Sequence, residues 1–235
     1  MIAISFALPA ESAGFCRRLK VEDRSVRDAA PILFGRIDNL EVVICHTGVG
    51  RKVCEPRIKT FLQREKPRLL ISAGFAGSLR DDLKAADLIF GANFSDSDLL
   101  LSAQEILQSH LPRATKLFTG DRIVDSREER HELALQTGAA ALDMETKYIA
   151  AECAKRSVRL LSMRIISDSV DEPFPAPPRV LFDIEKQRTS ALVLGKYLLT
   201  NPGAILRLRR FALQISRARA KLTEALLTVL PGLSA

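Results

Sequence analysis

The sequence of 235 residues has no tryptophan, only two tyrosines and three methionines, and only three histidines. His46, His110 and His131 share no ligand spacing, so no metal site is expected of them, and His46 at a strand end is more often a hydrogen-bonded core histidine than a catalytic one. The four cysteines (Cys16, Cys45, Cys54, Cys153) form no CxxC pair and fall mostly inside apolar patterns, which argues against a disulfide framework or a zinc site. They fit buried thiols in a reducing cytoplasm. No apolar run reaches membrane-spanning length. The apolar start from Met1 to Pro9 lacks a basic leader and is followed at once by Glu11, which suits a first core strand better than a signal peptide. No internal repeat or low-complexity segment interrupts the chain.

The excess of positive charge, +7 overall, is concentrated late: from Asn201 to Glu224 six basic residues face one acid. Aromatic residues are not interleaved with them and no nucleic-acid motif accompanies them, so a nucleic-acid partner is not expected. A basic amphipathic surface helix is the better reading. With 47% hydrophobic residues the chain can bury one sizeable core. The expected organisation is a catalytic domain over 1–200 and an appended basic helix over 201–235.

Strand-like runs at Ile2–Leu8, Ile32–Ile37, Leu40–His46, Arg68–Ala73, Asp87–Asn93, Thr115–Phe118, Ala139–Leu142 and Val158–Ile166 alternate with helical patterns. Asp38-Asn39 has hairpin spacing, and Ser126 with Glu129 has the spacing of a capping box for a helix ending near Gln136. Short helices are predicted after Pro9 and over Ala103–Leu111, and longer ones over Arg51–Arg64, Val180–Leu199 and Ala204–Val229. This alternation predicts an α/β fold of three layers, α/β/α, around a central mixed, mostly parallel sheet with long C-terminal helices. Four prolines between Pro173 and Pro178 exclude helix there and mark a loop, a candidate lid.

In such sheets ligands bind beyond the carboxyl ends of the strands. Ala140-Ala141-Leu142-Asp143-Met144-Glu145 turns an apolar run into acid at a helix start, and Val158–Ile166 runs into Ser167-Asp168. Glu11 also stands just past a strand. Each has a bland alternative: Glu145 capping its helix, Asp168 starting a turn with Ser167. Gly74-Phe75-Ala76-Gly77-Ser78 follows a strand with two glycines spaced for close backbone approach to a ligand. Asp121 is expected to fix its loop.

Six short stretches in one order carry a resemblance to the nucleoside phosphorylase and nucleosidase superfamily, in particular its methylthioadenosine/S-adenosylhomocysteine nucleosidases. They are Ala10-Glu11, Thr47-Gly48-Val49-Gly50, Gly74–Leu79, Thr119-Gly120-Asp121, Asp143-Met144-Glu145 and Arg164-Ile165-Ile166-Ser167-Asp168. The resemblance covers roughly residues 1–170. It implies an enzyme without a cofactor, acting on a small-molecule nucleoside and assembling as a homo-oligomer, dimer or hexamer. Asp168 would protonate the leaving purine, Glu145 would hold the ribose hydroxyls, and Glu11 would polarise the attacking water. It further implies substrate contacts from Met144, Ile123, Val124, Phe75, Ala76, Gly77, Ser167 and Arg164. Arg164, four residues before Asp168, is also expected to anchor that acid or its loop through charge-assisted bonds, the alternative being a strand-edge arginine facing solvent.

Two departures from the family pattern matter. Phe75 stands where the nucleosidases have serine, and Ser72 stands where the family's phosphorylases place a phosphate-binding arginine, which favours water over phosphate as nucleophile. Ser78, Arg51 or an arginine from a neighbouring subunit remain alternatives for an anion site. The segment from Asp168 through the prolines and the basic terminal helix look more like the hopanoid-biosynthesis branch, whose members remove adenine from an adenosyl lipid. That resemblance implies a lipid-borne substrate and peripheral contact of a cytoplasmic protein with an anionic membrane. The alternatives carried forward are a phosphate-dependent phosphorylase and a catalytically idle nucleoside-binding or membrane-associated module.

Overall fold

The computed structural model describes residues 1–27, 30–171 and 174–233. Its centre is four parallel strands in the order β4 (Leu40–His46), β1 (Ile2–Phe6), β5 (Leu69–Ser78) and β10 (Arg159–Asp168). β1 is buried along its whole length, and β10 at every residue after Arg159, as strands covered by helices on both faces must be. Antiparallel pairs extend both sides. β2 (Lys20–Arg27) and β3 (Ala30–Ile37) lie beyond β4, and β6 (Leu88–Gly91) lies beyond β10 with β7 (Arg113–Thr115) parallel to it. β9 (Ala141–Asp143) runs antiparallel to the end of β5 and parallel to β8 (Leu117–Thr119). The mixed sheet with a parallel centre is therefore as expected.

One face packs against α2 (Arg51–Glu65) and α5 (Thr146–Ala154), where Ile58, Phe61, Leu62, Ile149 and Cys153 meet Ala3, Val43, Cys45 and Leu70. The other face packs against α1 (Pro9–Cys16), α3 (Ser97–Ile106) and α8 (Ala204–Leu233) around Ile4, Phe6, Ile71, Met163 and Ile165. The helix expected to be an appendage is in its second half part of this core: Ala218, Leu222, Leu226, Val229 and Leu230 are each 1% exposed or less. Its first half carries Arg207, Arg209 and Arg210 on an exposed surface. No helix among the described residues is long and apolar enough to cross a membrane.

Several local expectations change. Gly74–Ser78 is the end of β5 itself rather than a loop, because β9 and β10 pair with it on either side. Lys20–Arg27, read as no element, is an edge strand whose polar side chains conceal its period. The helix expected over Ala103–Leu111 begins earlier, at Ser97, where Asp96 accepts a hydrogen bond from Leu99 N. The helix expected over Val180–Leu199 is split into α6 (Pro178–Leu181) and α7 (Ala191–Thr200), with Asp183 and Arg188 bridging a turn between them. Within the proline-rich segment, Glu172 and Pro173 lie outside the described residues.

Candidate active site

Glu11 is the third residue of α1, placed there by the turn that follows β1. Its carboxylate reaches back to accept Leu8 N at 2.9 Å and across to accept Phe75 N at 2.9 Å, tying the exits of β1 and β5 together. Gly74 makes this approach possible, since a Cβ there would lie 2.9 Å from Glu11 Oε1. Burial pushes the Glu11 carboxyl above its ordinary range, opposed by those two amides and by Arg164.

Glu145 follows β9 at the start of α5, but it is not the side chain that caps the helix. Asp143 does that, accepting Thr146 N at 3.2 Å, and it also accepts Thr119 Oγ1 at 2.8 Å and Arg164 Nε at 3.1 Å. Glu145 is thereby free to face inward, where its Oε1 accepts Gly50 N at 2.8 Å. Gly50 presents that amide from a backbone with φ of +78°, a conformation that favours glycine. Burial, then repulsion by Asp143, pushes the Glu145 carboxyl up to about 8, against the Gly50 hydrogen bond.

Asp168 ends β10 after an irregularity: Ile166 pairs with Ala76, yet Asp168 pairs with Gly77, so Ser167 is an extra residue in the ladder. Ser167 Oγ donates to Asp168 Oδ1 at 2.5 Å, and Arg130 Nη2 donates to Oδ2. Arg130 comes from α4 (Arg127–Thr137), capped by Ser126 as its spacing predicts, and is 1% exposed. Burial pushes the Asp168 carboxyl up and the Arg130 charge opposes it.

The anchor expected for Asp168 is thus a different arginine. Arg164 lies four residues back along the strand, about 13 Å away at the rise of extended chain, and its guanidinium donates to Asp143, Ser72 Oγ (2.9 Å) and Thr146 Oγ1 (2.6 Å). It braces the floor beneath Glu145.

A cavity of about 150 Å³ is lined by all three carboxylates and by Met144, Ile123, Val124, Phe75, Ala76, Gly77 and Ser167. Of the residues expected at the site only Arg164 is outside it; Arg164 lines a small void of about 10 Å³ behind, shared with Glu11, Glu145 and Ser72. Two larger surface clefts, about 610 and 660 Å³, contain none of the three carboxylates. Arg130 and Phe174 also line the cavity, and neither was legible in the sequence, where Arg130 is one charge in the polar run Arg127–Glu132. His46 is held by Ser12 at 2.7 Å away from the cavity, and Asp121 accepts Tyr148 Oη at 2.6 Å on the surface. Ser78 Oγ donates to Arg80 O, and Arg51 pairs with Glu55 on the surface. Among the described residues no three His, Cys, Asp or Glu side chains are grouped to hold a metal ion.

Carboxylates from three strand ends converging on one cavity suit a substrate that develops positive charge next to a leaving group needing a proton. The chain is similar to several known proteins. A 5'-methylthioadenosine/S-adenosylhomocysteine nucleosidase of Haemophilus influenzae is 25% identical over 214 residues, 79% of this chain and 93% of the relative. One from Buchnera aphidicola is 26% identical over 182 residues, 65% and 72% of the two chains. Among solved structures, the Helicobacter pylori nucleosidase of the same name superposes with a TM-score of 0.75 at 17% identity, covering 98% of this chain and 97% of that one. The futalosine hydrolase of Helicobacter pylori gives 0.64 at 21% identity, covering 71% and 87%. These superpositions establish the common fold. The family pattern described as Phosphorylase superfamily matches residues 1–109 and 92–200, and the chain therefore belongs to the phosphorylase superfamily and is an enzyme of it.

Proposed function

We propose that the protein is a purine-nucleoside N-glycosidase that hydrolyses an adenosine-type nucleoside, methylthioadenosine- or S-adenosylhomocysteine-like, to free base and a ribosyl product. The observation that carries this reading is the separation of three buried carboxylates around one cavity, each in a different environment. Breaking the bond from C1′ to the base leaves a cationic sugar and an anionic purine, and only groups matched to those charges speed the step. Asp168, at the Arg130 and Val124 end, protonates the departing base. Glu145 accepts the ribose hydroxyls in charge-assisted hydrogen bonds, with Met144 against the sugar. Glu11 takes a proton from the attacking water, a role worth about 10²–10⁴-fold. Ile123, Val124, Phe75, Ala76 and Gly77 enclose the base and sugar.

Water is favoured over phosphate because the Phe75 amide, which an anion would need, already donates to Glu11, and because Ser72 is engaged by Arg164. A carboxylate at that position repels a phosphate dianion. Beside Ile123 a groove of about 450 Å³ opens, lined by Pro178, Phe182 and Ile184 together with the charged Arg179, Asp183 and Glu185. Its apolar side chains give room for an apolar 5′ substituent, the adenosyl-lipid form of this reading. Leu192, Val193, Leu199, Ile205, Leu206 and Leu213 are exposed on α7 and the first half of α8 among its arginines, which supports contact with an anionic bilayer.

The test is a panel of methylthioadenosine, S-adenosylhomocysteine, adenosine, inosine and an adenosyl lipid, with release of free base as readout. Turnover of an adenine nucleoside supports the reading and its rank order names the 5′ group. Binding without base release from any member would sink it in favour of an idle nucleoside-binding module.

A further inference from the structure

The Arg130–Asp168 pair calls for a cause. Arg130 is a permanent cation, almost wholly buried, on a helix whose other polar residues are exposed or half-buried. Four of its five N–H donors are placed on protein: Nε and Nη2 on Val124 O at 3.1 and 3.0 Å, Nη1 on Ser78 O at 3.2 Å, and Nη2 again on Asp168 Oδ2. The ring of Phe174 lies 5.9 Å from the guanidinium carbon and shields it from water. Gly77 completes the fit, because a Cβ there would stand 3.0 Å from Asp168 Oδ2 and within 3.7 Å of both Arg130 Nη atoms. So many bonds to the protein leave the guanidinium little to offer a substrate. They fix one carboxylate oxygen.

We propose that Arg130 is the positioning residue of the leaving-group acid, making Asp168 a stronger and better aimed proton donor. This rests on the assignment of Asp168 as the donor. In the step itself the electrons of the glycosidic bond move onto the purine, the proton on Asp168 moves to the purine nitrogen, and Asp168 is left as a carboxylate. That carboxylate is buried, and without a cation beside it the charge would be poorly tolerated. Arg130 stabilises the state that exists only after the proton has left, which lowers the barrier to its departure.

The charged groups facing Asp168 are Arg130 from α4 and, more distantly, Asp125 from the preceding loop, whose Oδ1 is buried without a partner among the described residues. Burial and Asp125 favour the protonated acid, and Arg130 favours the carboxylate. Removal of Arg130 therefore keeps the proton on Asp168 to higher pH, while making it harder to give up.

The experiment uses the full chain and a nucleoside that the wild type turns over. Arg130→Met should lower kcat by about 100-fold, leave KM within about threefold, and move the high-pH limb of kcat/KM upward by about one unit. Arg130→Lys, which keeps the charge, should recover part of kcat and return the limb toward wild type. On an Asp168→Asn background, Arg130→Met should cost nothing further in kcat, because both changes act through one group. The inference is overturned if the costs multiply in the double variant, or if the limb stays in place while folded Arg130→Lys is as slow as Arg130→Met. Melting curves and the affinity for product base separate loss of folding from loss of proton donation. If the wild type releases base from no nucleoside, the enzymatic reading fails and the role of Arg130 falls with it, whereas an active wild type with multiplying costs overturns the role of Arg130 alone.

Discussion

Asp168→Asn preserves shape and most hydrogen-bonding capacity while removing the proton donor. The expected outcome is a fall in kcat of about 10²–10⁴-fold with nucleoside binding retained, measured by steady-state kinetics beside calorimetric titration. Glu145 supports a second test at this scale, on stability. Its folded carboxyl titrates at about 8 against an ordinary 4.5, so between those values the folded protein holds a proton that the unfolded chain has released. The stability contribution of such a group falls as pH rises through that window. Glu145→Gln should therefore melt at the same temperature as wild type at pH 4 and higher than wild type at pH 9; equal melting at both pH values would contradict the strained carboxyl. Ligand hydroxyls favour the ionised form, so nucleoside binding at pH 7 should release a proton, detectable as buffer-dependent binding heat. Glu11, Glu145 and Asp168 were legible as residues because each follows an apolar strand-like run. Arg130 was not, since its partner is 38 positions away and nothing in α4 separates a buried arginine from a solvated one.

The ends of β1, β5, β9 and β10 deliver the site, and small irregularities aim it. The extra residue at Ser167 re-registers Asp168 opposite Gly77, and Asp143 relieves Glu145 of capping α5. Neither effect can be read from periodicity, because a bulge leaves the apolar pattern intact and two acids at one helix start look alike in sequence. The same limit explains the strand end taken for a glycine loop. For α8, charge dominated the sequence while the packing lies further along. Leu226→Ala, in the buried half, should cost about 2–5 kcal/mol of stability, whereas Leu206→Ala, in the exposed half, should stay within about 0.5 kcal/mol. Denaturant unfolding of the two variants makes the comparison. Equal small losses would mean that the second half of α8 is not part of the core.

For the molecule as a whole, the parallel centre and the order of its elements follow from alternating strand and helix patterns, and these bring distant motifs to the carboxyl ends of the central strands. What surrounds those ends follows from packing that no short motif encodes: the split of α6 from α7, and Phe174 meeting Phe211 of α8 at 5.8 Å. The exposed apolar and arginine-bearing surface of α7 and α8 should bind vesicles containing anionic lipid and release them at high salt, while neutral vesicles stay unbound. Cosedimentation at two salt concentrations tests this, and equal binding to neutral vesicles, or none to either, would remove the membrane from the proposed function.

Hydrolysis rather than phosphorolysis is tested most directly by incubating the protein with methylthioadenosine in phosphate-free and phosphate-containing buffer and identifying the sugar by mass. The expected result is adenine and free methylthioribose at the same rate in both buffers, abolished in Asp168→Asn. A sugar 1-phosphate that forms only when phosphate is present would contradict the roles given to Glu11 and Ser72.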